Sequence, residues 1–180
     1  MKTRIIISTL LIVLSSLTWM SCKGPMGPAG YDGRDGLDGN ANVTASKWFT
    51  PTTWAGQTGD WYFDVSSSAI TKDIVETGAV LAYVSLPGDL YNDFTVRPLP
   101  AYALNSNWDF LLPNDNNTSY GKIEFTSDMT NMPGTNGYNF RFIIIEAGYL
   151  LKSTKLKSTK MSDLKTMPYK DVCKLLGIQE

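Results

Sequence analysis

Few side chains in this sequence could carry out chemistry. The chain contains no histidine and only two cysteines, which excludes Ser-His-Asp and Cys-His catalytic sites, histidine-ligated zinc or haem, and zinc sites built from three or four thiolates. What remains for an enzyme is carboxylate, lysine or tyrosine chemistry, such as the two-carboxylate mechanism of glycoside hydrolases. The aspartates that could pair for it are Asp60 with Asp64, Asp89 with Asp93, and Asp109 with Asp115. Since nothing in the sequence sets the separation of these pairs, we predict a non-enzymatic protein without catalytic residues, cofactor or metal.

The N-terminus is typical of a secretory signal that ends at a cysteine. Two positive charges in the first four residues precede an apolar stretch over residues 5–17, which is too short to span a membrane and fits a signal-peptide core. Cys22 follows, directly after the small residue Ser21. This arrangement resembles the lipobox of bacterial lipoproteins, with Trp19 in place of the usual leucine. The resemblance implies a signal peptide over residues 1–21, acylation of Cys22, and a lipid anchor in the cell envelope, at the outer membrane.

Two alternatives to this anchor are an uncleaved membrane helix and a secreted protein with an unmodified Cys22. Several acyl chains on one residue suffice for stable membrane attachment. Acylation through the sulfur would leave Cys173, the other cysteine, without a disulfide partner. The fold must then be stable through its core alone, although the compartment is oxidising.

Residues 24–41 have glycine at every third position. The glycines are Gly24, Gly27, Gly30, Gly33, Gly36 and Gly39, with prolines at positions 25 and 28. This period resembles collagen, where only glycine fits at the axis of the triple helix. The segment extends about 50 Å at ~3 Å per residue, and we expect an extended, flexible spacer over residues 22–42. The alternative is a triple helix, which requires that the following domain itself forms a trimer.

Residues 43–180 are predicted to form an antiparallel β-sandwich. Apolar and polar side chains alternate over residues 61–66 and 122–126, as in strands with one buried face. Residues 79–86 are apolar on both faces apart from Ser85, and residues 138–145 alternate at first and are then continuously apolar. Such runs indicate a central strand or the middle of a sandwich. Turns rich in Gly, Pro and Asn separate the segments, so the expected fold class is mainly β.

A short C-terminal helix is predicted over about residues 168–176. Pro168 suits its first position and Gly177 its end. Its apolar stripe consists of Tyr169, Val172, Cys173 and Leu176. A helix this short needs tertiary contacts, so the stripe must dock on the sheet or on another chain, and we interpret Cys173 as a buried, unreactive thiol. A second helical turn, closed by a glycine, is expected over residues 71–78.

The lysine-rich residues 152–160 repeat the sequence Lys-Ser-Thr-Lys. We interpret this segment as a solvated strand edge or loop, where lysine discourages edge pairing. The alternative is a basic patch for acidic glycans, lipopolysaccharide phosphates or a protein partner.

The order of the segments resembles a group of collagen-like lipoproteins of Bacteroidetes-type bacteria. The resemblance is carried by the lipobox, the Gly-X-Y segment, residues 40–43 that lead into a β-rich domain, and the stretches 78–83, 99–102 and 140–145. It spans most of the chain and implies lipid anchoring and a β-rich domain. It transfers no catalytic residue.

Three classes of function are consistent with the sequence. The first is a membrane-anchored surface or periplasmic lipoprotein with a non-catalytic domain. The second is a glycan-binding or adhesion module with an exposed stacking platform of Trp48, Trp54, Trp61, Trp108 and many of the tyrosines, although such rings are also typical of cores. The third is a carboxylate-based glycoside hydrolase. The net charge of −1 gives no reason to expect nucleic acid, so the expected partners are the membrane, a glycan, or further copies of the chain in a trimer.

Overall fold

A computed structural model describes residues 42–89, 95–113, 120–152, 156 and 159–180. The predicted signal peptide, the lipidation site Cys22 and the glycines of the Gly-X-Y segment lie outside the described residues, as do Asp93 and Asp115. Apart from Asn42, the described residues all belong to the predicted domain 43–180.

In these residues the chain forms nine strands and four short helices. The strands are β1 (Val43–Ala45), β2 (Ala55–Gln57), β3 (Asp60–Ser66), β4 (Ala79–Ser85), β5 (Val96–Pro98), β6 (Ala101–Ala103), β7 (Ser106–Leu111), β8 (Lys122–Ser127) and β9 (Asn139–Ile145). The helices are α1 (Lys72–Thr77), α2 (Ala147–Lys152), α3 (Met161–Thr166) and α4 (Tyr169–Leu176). The strands form two antiparallel sheets, of order β1-β9-β4-β5 and β2-β3-β8-β7-β6. The prediction of a mainly β, antiparallel sandwich with a short C-terminal helix is confirmed.

The two sheets enclose an aromatic core. Phe63 of β3 stacks on Phe125 of β8 with ring centroids 5.2 Å apart, and Phe140 of β9 lies 5.0 Å from Phe125. Trp54 and Trp108 fill the same core, and their indole N–H groups donate to backbone carbonyls at 3.1 and 3.0 Å. Large rings supply most of the buried apolar area in such a small core, and their polar N–H groups need these partners when buried.

The four-stranded sheet is the middle of three layers. In β4 the even-numbered residues from 80 to 84 belong to the inter-sheet core, whereas Leu81 and Tyr83 belong to a second core beneath the helices. Successive side chains of a strand point to opposite faces, so a strand between two apolar layers is apolar at nearly every position. This explains the continuous apolar segments of β4 and β9.

The second core is closed by α4, and the predicted C-terminal helix is confirmed. Its stripe is buried against the outer face of the four-stranded sheet through Tyr169, Val172, Cys173 and Leu176. Gly177 ends the helix in the left-handed conformation, with a φ of 70°, which glycine adopts without steric cost. Pro168 is the capping residue before the helix, not its first residue, because its ψ of 137° is extended.

The sequence patterns do not predict α2 and α3. Each has only six residues, too few for an apolar period to stand out. Leu164 of α3 and Leu156, in the lysine-rich segment, are both buried in the second core. The segment interpreted as a solvated loop therefore contains a buried apolar anchor.

α1 confirms the predicted helical turn closed by Gly78, whose N–H donates to the carbonyl oxygens of Asp73 and Ile74 at 3.3 and 3.0 Å. The Thr71 hydroxyl caps the helix by accepting a hydrogen bond from the Ile74 N–H at 3.3 Å. Gly78 follows the helix in an extended conformation, with φ −86° and ψ −161°, not the left-handed one of common glycine caps. A Cβ at this position would lie 2.9 Å from the carbonyl oxygen of Ile145. It would also lie 3.0 Å from the carbonyl oxygen of Ile74, so β9 and the end of α1 together explain a glycine here.

Candidate functional site

The four tryptophans considered as a glycan platform do not lie on one surface. Trp54 and Trp108 are buried between the sheets, 5% and 0% exposed. Trp61 is half-buried against that same core, whereas Trp48 is half-buried against the second core. The structure places these rings in two separate layers, so they do not form an exposed row.

Two of the aspartates considered as catalytic residues, Asp64 and Asp89, are held in other interactions. Asp64 forms an ion pair with Lys122 at 3.1 Å, and the buried Asp89 accepts two hydrogen bonds from Arg97 at 2.5 and 2.7 Å. Glu124 stands opposite Asp64 in the β3–β8 pairing, and its carboxyl group has an altered pKa. Burial raises its pKa, and the negative charge of Asp64 raises it further. This pair depends on strand register, so the sequence spacing of the aspartates does not reveal it.

A more distinctive polar arrangement lies on the helix side of the four-stranded sheet. A cleft of about 460 Å³ opens between the segment after β1, the middle of β9 and the residues after α4. We call it the Arg141 cleft, and its lining includes Ser46, Lys47, Trp48, Arg141, Ile178 and Glu180. Its volume is in the range of pockets that bind small molecules.

Arg141 is a nearly buried cation, with 6% of its surface exposed. It stands opposite Tyr83 in the β9–β4 pairing. Its Nε donates to the carbonyl oxygen of Ser46 at 2.9 Å, and its Nη1 donates to the hydroxyl of Tyr169. The guanidinium carbon lies 6.0 Å from the ring centre of Trp48 and 5.7 Å from that of Tyr169, within the range of cation–π attraction. Neutral groups therefore hold this cation in place.

Arg141 has no counter-ion in the described part of the chain. No carboxylate of those residues forms an ion pair with it, and its Nη2 donates to none of their atoms. Arginine stays protonated at all physiological pH values, and a buried charge without a partner is costly. Arg97 of the same sheet differs, because it pairs with Asp89. The Arg141 cleft thus holds a positive charge that the described residues do not neutralise.

Three acidic groups buried around Arg141, the hydroxyls of Tyr83 and Tyr169 and the thiol of Cys173, are protonated at neutral pH. Burial raises the pKa of Tyr169 to about 12. Burial also raises the pKa of the Tyr83 hydroxyl and of the Cys173 thiol above their ordinary values. None of the three supplies negative charge near pH 7, so they leave the guanidinium uncompensated. The predicted buried position of Cys173 is confirmed.

Sequence reasoning misses this cleft. A charged residue inside an apolar strand is an unusual feature, and Arg141 interrupts the apolar run of β9. Its partners Ser46 and Tyr169, however, lie 95 and 28 residues away along the chain. No sequence spacing connects them, because sheet pairing and helix docking bring them together.

Among the described residues, none of the helices combines the length and hydrophobicity of a transmembrane span, and no group of three or more cysteine, aspartate or glutamate side chains is placed to hold a metal ion. No protein-family model matches the chain, and no curated protein and no solved structure is significantly similar to it.

Proposed function

We propose that this protein is a lipid-anchored lipoprotein of the cell surface or periplasm, whose non-catalytic β-sandwich domain is joined to the membrane by a short collagen-like spacer. The observation that carries the proposal is Cys22 at the end of a signal-like segment, followed at once by glycine at every third position. Once acylated, Cys22 holds the chain at the outer membrane. The Gly-X-Y segment then sets the distance of the domain from the lipid, about 50 Å when extended.

The way in which the chain enters the sandwich supports a tether at this end. β1 begins at Val43, the residue at which the predicted domain begins. Val43 is buried and pairs with Ile145 of β9, and the carbonyl of Asn42 accepts a hydrogen bond from the Glu146 N–H at 2.9 Å. A spacer attached here therefore ends at a fixed point of the sheet.

Metabolic labelling with a fatty acid, followed by membrane fractionation, tests the anchor. Cys22→Ala should abolish the label and release the protein from membranes, because the acyl chains supply the attachment. Cys173→Ala is the matched control: it removes the only other cysteine, which is buried in the second core, and should keep both the label and the membrane location. Membrane retention of Cys22→Ala without label would contradict the proposal and favour an uncleaved N-terminal helix.

Limited proteolysis tests the spacer. Exposed, flexible backbone is where proteases cut, so digestion should leave a resistant fragment that starts near Val43. A segment over residues 22–42 that resists digestion and gives a triple-helix signal in circular dichroism at growth temperature would contradict the flexible spacer and favour a trimer.

A further inference from the structure

We propose that the Arg141 cleft binds a small monocarboxylate that carries a flat apolar group. The carboxylate accepts hydrogen bonds from the Arg141 guanidinium, whose Nη2 has no acceptor among the described residues. Arginine presents its donors in a planar fork that matches a carboxylate. The bound anion supplies the counter-ion that this buried cation lacks, and the attraction is stronger there than at a hydrated surface.

The hydrogen bonds of Arg141 suit recognition better than a purely structural role. A structural arginine uses its donors within the fold, as Arg97 does when Nε and Nη2 both donate to Asp89. Arg141 uses Nε and Nη1 to hold Ser46 and Tyr169, which fixes the plane of the guanidinium while the residue lines the cleft. A side chain that binds a ligand needs this kind of support, because its position and orientation are less well defined without it.

The charges around the cleft favour a ligand with one negative charge. Arg141 is a single guanidinium, and the exposed Lys47 adds one cation to the lining. Glu180, whose carboxylate lies 3.9 Å from the Lys170 ammonium, lines the same cleft, and α4 ends beside it at Gly177, where the helix dipole is negative. A phosphate dianion would meet both of these repulsive features with twice the charge. A monocarboxylate therefore fits better.

The position of Trp48 in the cleft favours a flat apolar group next to the carboxylate of the ligand. Its half-buried ring makes an edge contact with Tyr169 at 5.5 Å and lines both the Arg141 cleft and a neighbouring depression of about 380 Å³. Ile178 adds apolar surface to the cleft. The indole centre lies 6.0 Å from the guanidinium carbon, so a small aromatic acid can reach Arg141 with its carboxylate while its ring packs on Trp48.

The test uses the full chain purified in a non-ionic detergent, with sodium benzoate as the probe and sodium acetate and inorganic phosphate for comparison. Calorimetric titration measures the affinities, and the ¹⁵N signals of arginine Nε atoms report which arginine responds. We expect benzoate to bind more tightly than acetate, and phosphate more weakly than either. The signal that shifts should be the one missing from Arg141→Lys, whereas the Arg97 signal should stay in place because that guanidinium already pairs with Asp89.

Variants at the rim of the cleft keep the test independent of folding. Lys47→Gln should weaken benzoate binding and Glu180→Gln should strengthen it, each by about two- to fivefold, as is typical of exposed charges. Arg97→Lys is the matched control and should leave the affinity unchanged. Trp48→Leu should weaken the binding of benzoate more than that of acetate, because only benzoate packs a ring on the indole.

Several results would overturn the proposal. These are no binding of either carboxylate, tighter binding of phosphate than of benzoate, or an affinity that responds to neither Lys47→Gln nor Glu180→Gln. Binding of an acidic peptide without binding of benzoate would also overturn it, because the cleft would then be a protein-binding surface. If circular dichroism shows that Arg141→Lys is unfolded, the rim variants and the arginine signals of the unaltered chain decide the question.

Discussion

Truncation of Leu176 tests whether α4 is part of the domain or a free interaction surface. Leu176 is 1% exposed and lies in the second core between α4 and the outer face of the four-stranded sheet. Val172 of α4 and Ile143 of β9 belong to the same core. Leu176→Ala removes apolar packing from this core and leaves a cavity, because the surrounding structure relaxes only partly into the space.

The expected loss of unfolding free energy is about 2–4 kcal/mol, the range for a buried leucine replaced by alanine. This is a large share of the roughly 5–15 kcal/mol that stabilises an ordinary domain. Each kcal/mol lowers the melting temperature by about 3–4 °C for a domain of this size. A loss in the middle of the range therefore lowers it by about 10 °C.

Thermal unfolding of a soluble form that begins at Lys23, followed by circular dichroism, measures this shift. Leu175→Ala is the matched control, since it makes the same substitution one position away, at a half-buried leucine. We expect that control to cost about 1 kcal/mol or less. A shift below about 1 °C for Leu176→Ala, or equal shifts for the two variants, would show that α4 is not packed on its own domain and is free to bind a partner chain.

Three further predictions concern the interior of the domain. Gly78→Ala should lower the free energy of unfolding by about 1–3 kcal/mol, measured by urea titration, because its Cβ would lie 2.9 Å from the backbone oxygen of Ile145; an unchanged midpoint would refute this account of the glycine. Cys173 should react with a thiol reagent at pH 8 only after the protein is unfolded in guanidinium chloride, since its thiol is buried. Rapid reaction in the native state would contradict the buried position of the thiol. Burial raises the pKa of Cys173 above its ordinary value and that of Tyr169 from 10.0 to about 12. The contribution of these two groups to the free energy of unfolding should therefore be fully present below pH 9 and be lost as the pH rises towards 12. Tyr169→Phe should flatten that alkaline loss in urea titrations, and an equally steep profile would contradict the assignment.

The strands of this domain are readable from the sequence because each sheet face leaves a local pattern. The alternation over residues 61–66 reflects β3, which buries one face and exposes the other, and the continuous run at 79–86 reflects β4, which has an apolar layer on either side. The stripe on α4 is likewise local, since all its members lie within eight residues. Such patterns survive without knowledge of the fold, because a strand or helix repeats its orientation every two or about 3.6 residues.

The features that escape sequence reasoning depend on contacts between distant segments. Gly78 caps α1, as its position in the sequence suggests, but part of the crowding that requires a glycine comes from the carbonyl of Ile145, which the β4–β9 pairing places beside it. The residues next to Trp54 in the sequence are compatible with either an exposed or a buried ring. Its burial results from packing in the core between the two sheets. The lysine-rich segment contains a buried leucine, Leu156. Its burial cannot be recognised from the sequence, because a single apolar residue does not form a periodic pattern.

Tyr169 links the packing of α4 to the chemistry of the Arg141 cleft. It is the first member of the apolar stripe, and its hydroxyl accepts the hydrogen bond from Arg141 Nη1. The helix therefore docks partly on a guanidinium, at a position where β9 would otherwise place an apolar side chain like Ile143. An arginine at this position weakens the second core, because it buries a charge. Its guanidinium lies beside the Trp48 ring. An anion bound at Arg141 would relieve this cost in the folded state alone, so ligand binding and the docking of α4 would stabilise each other.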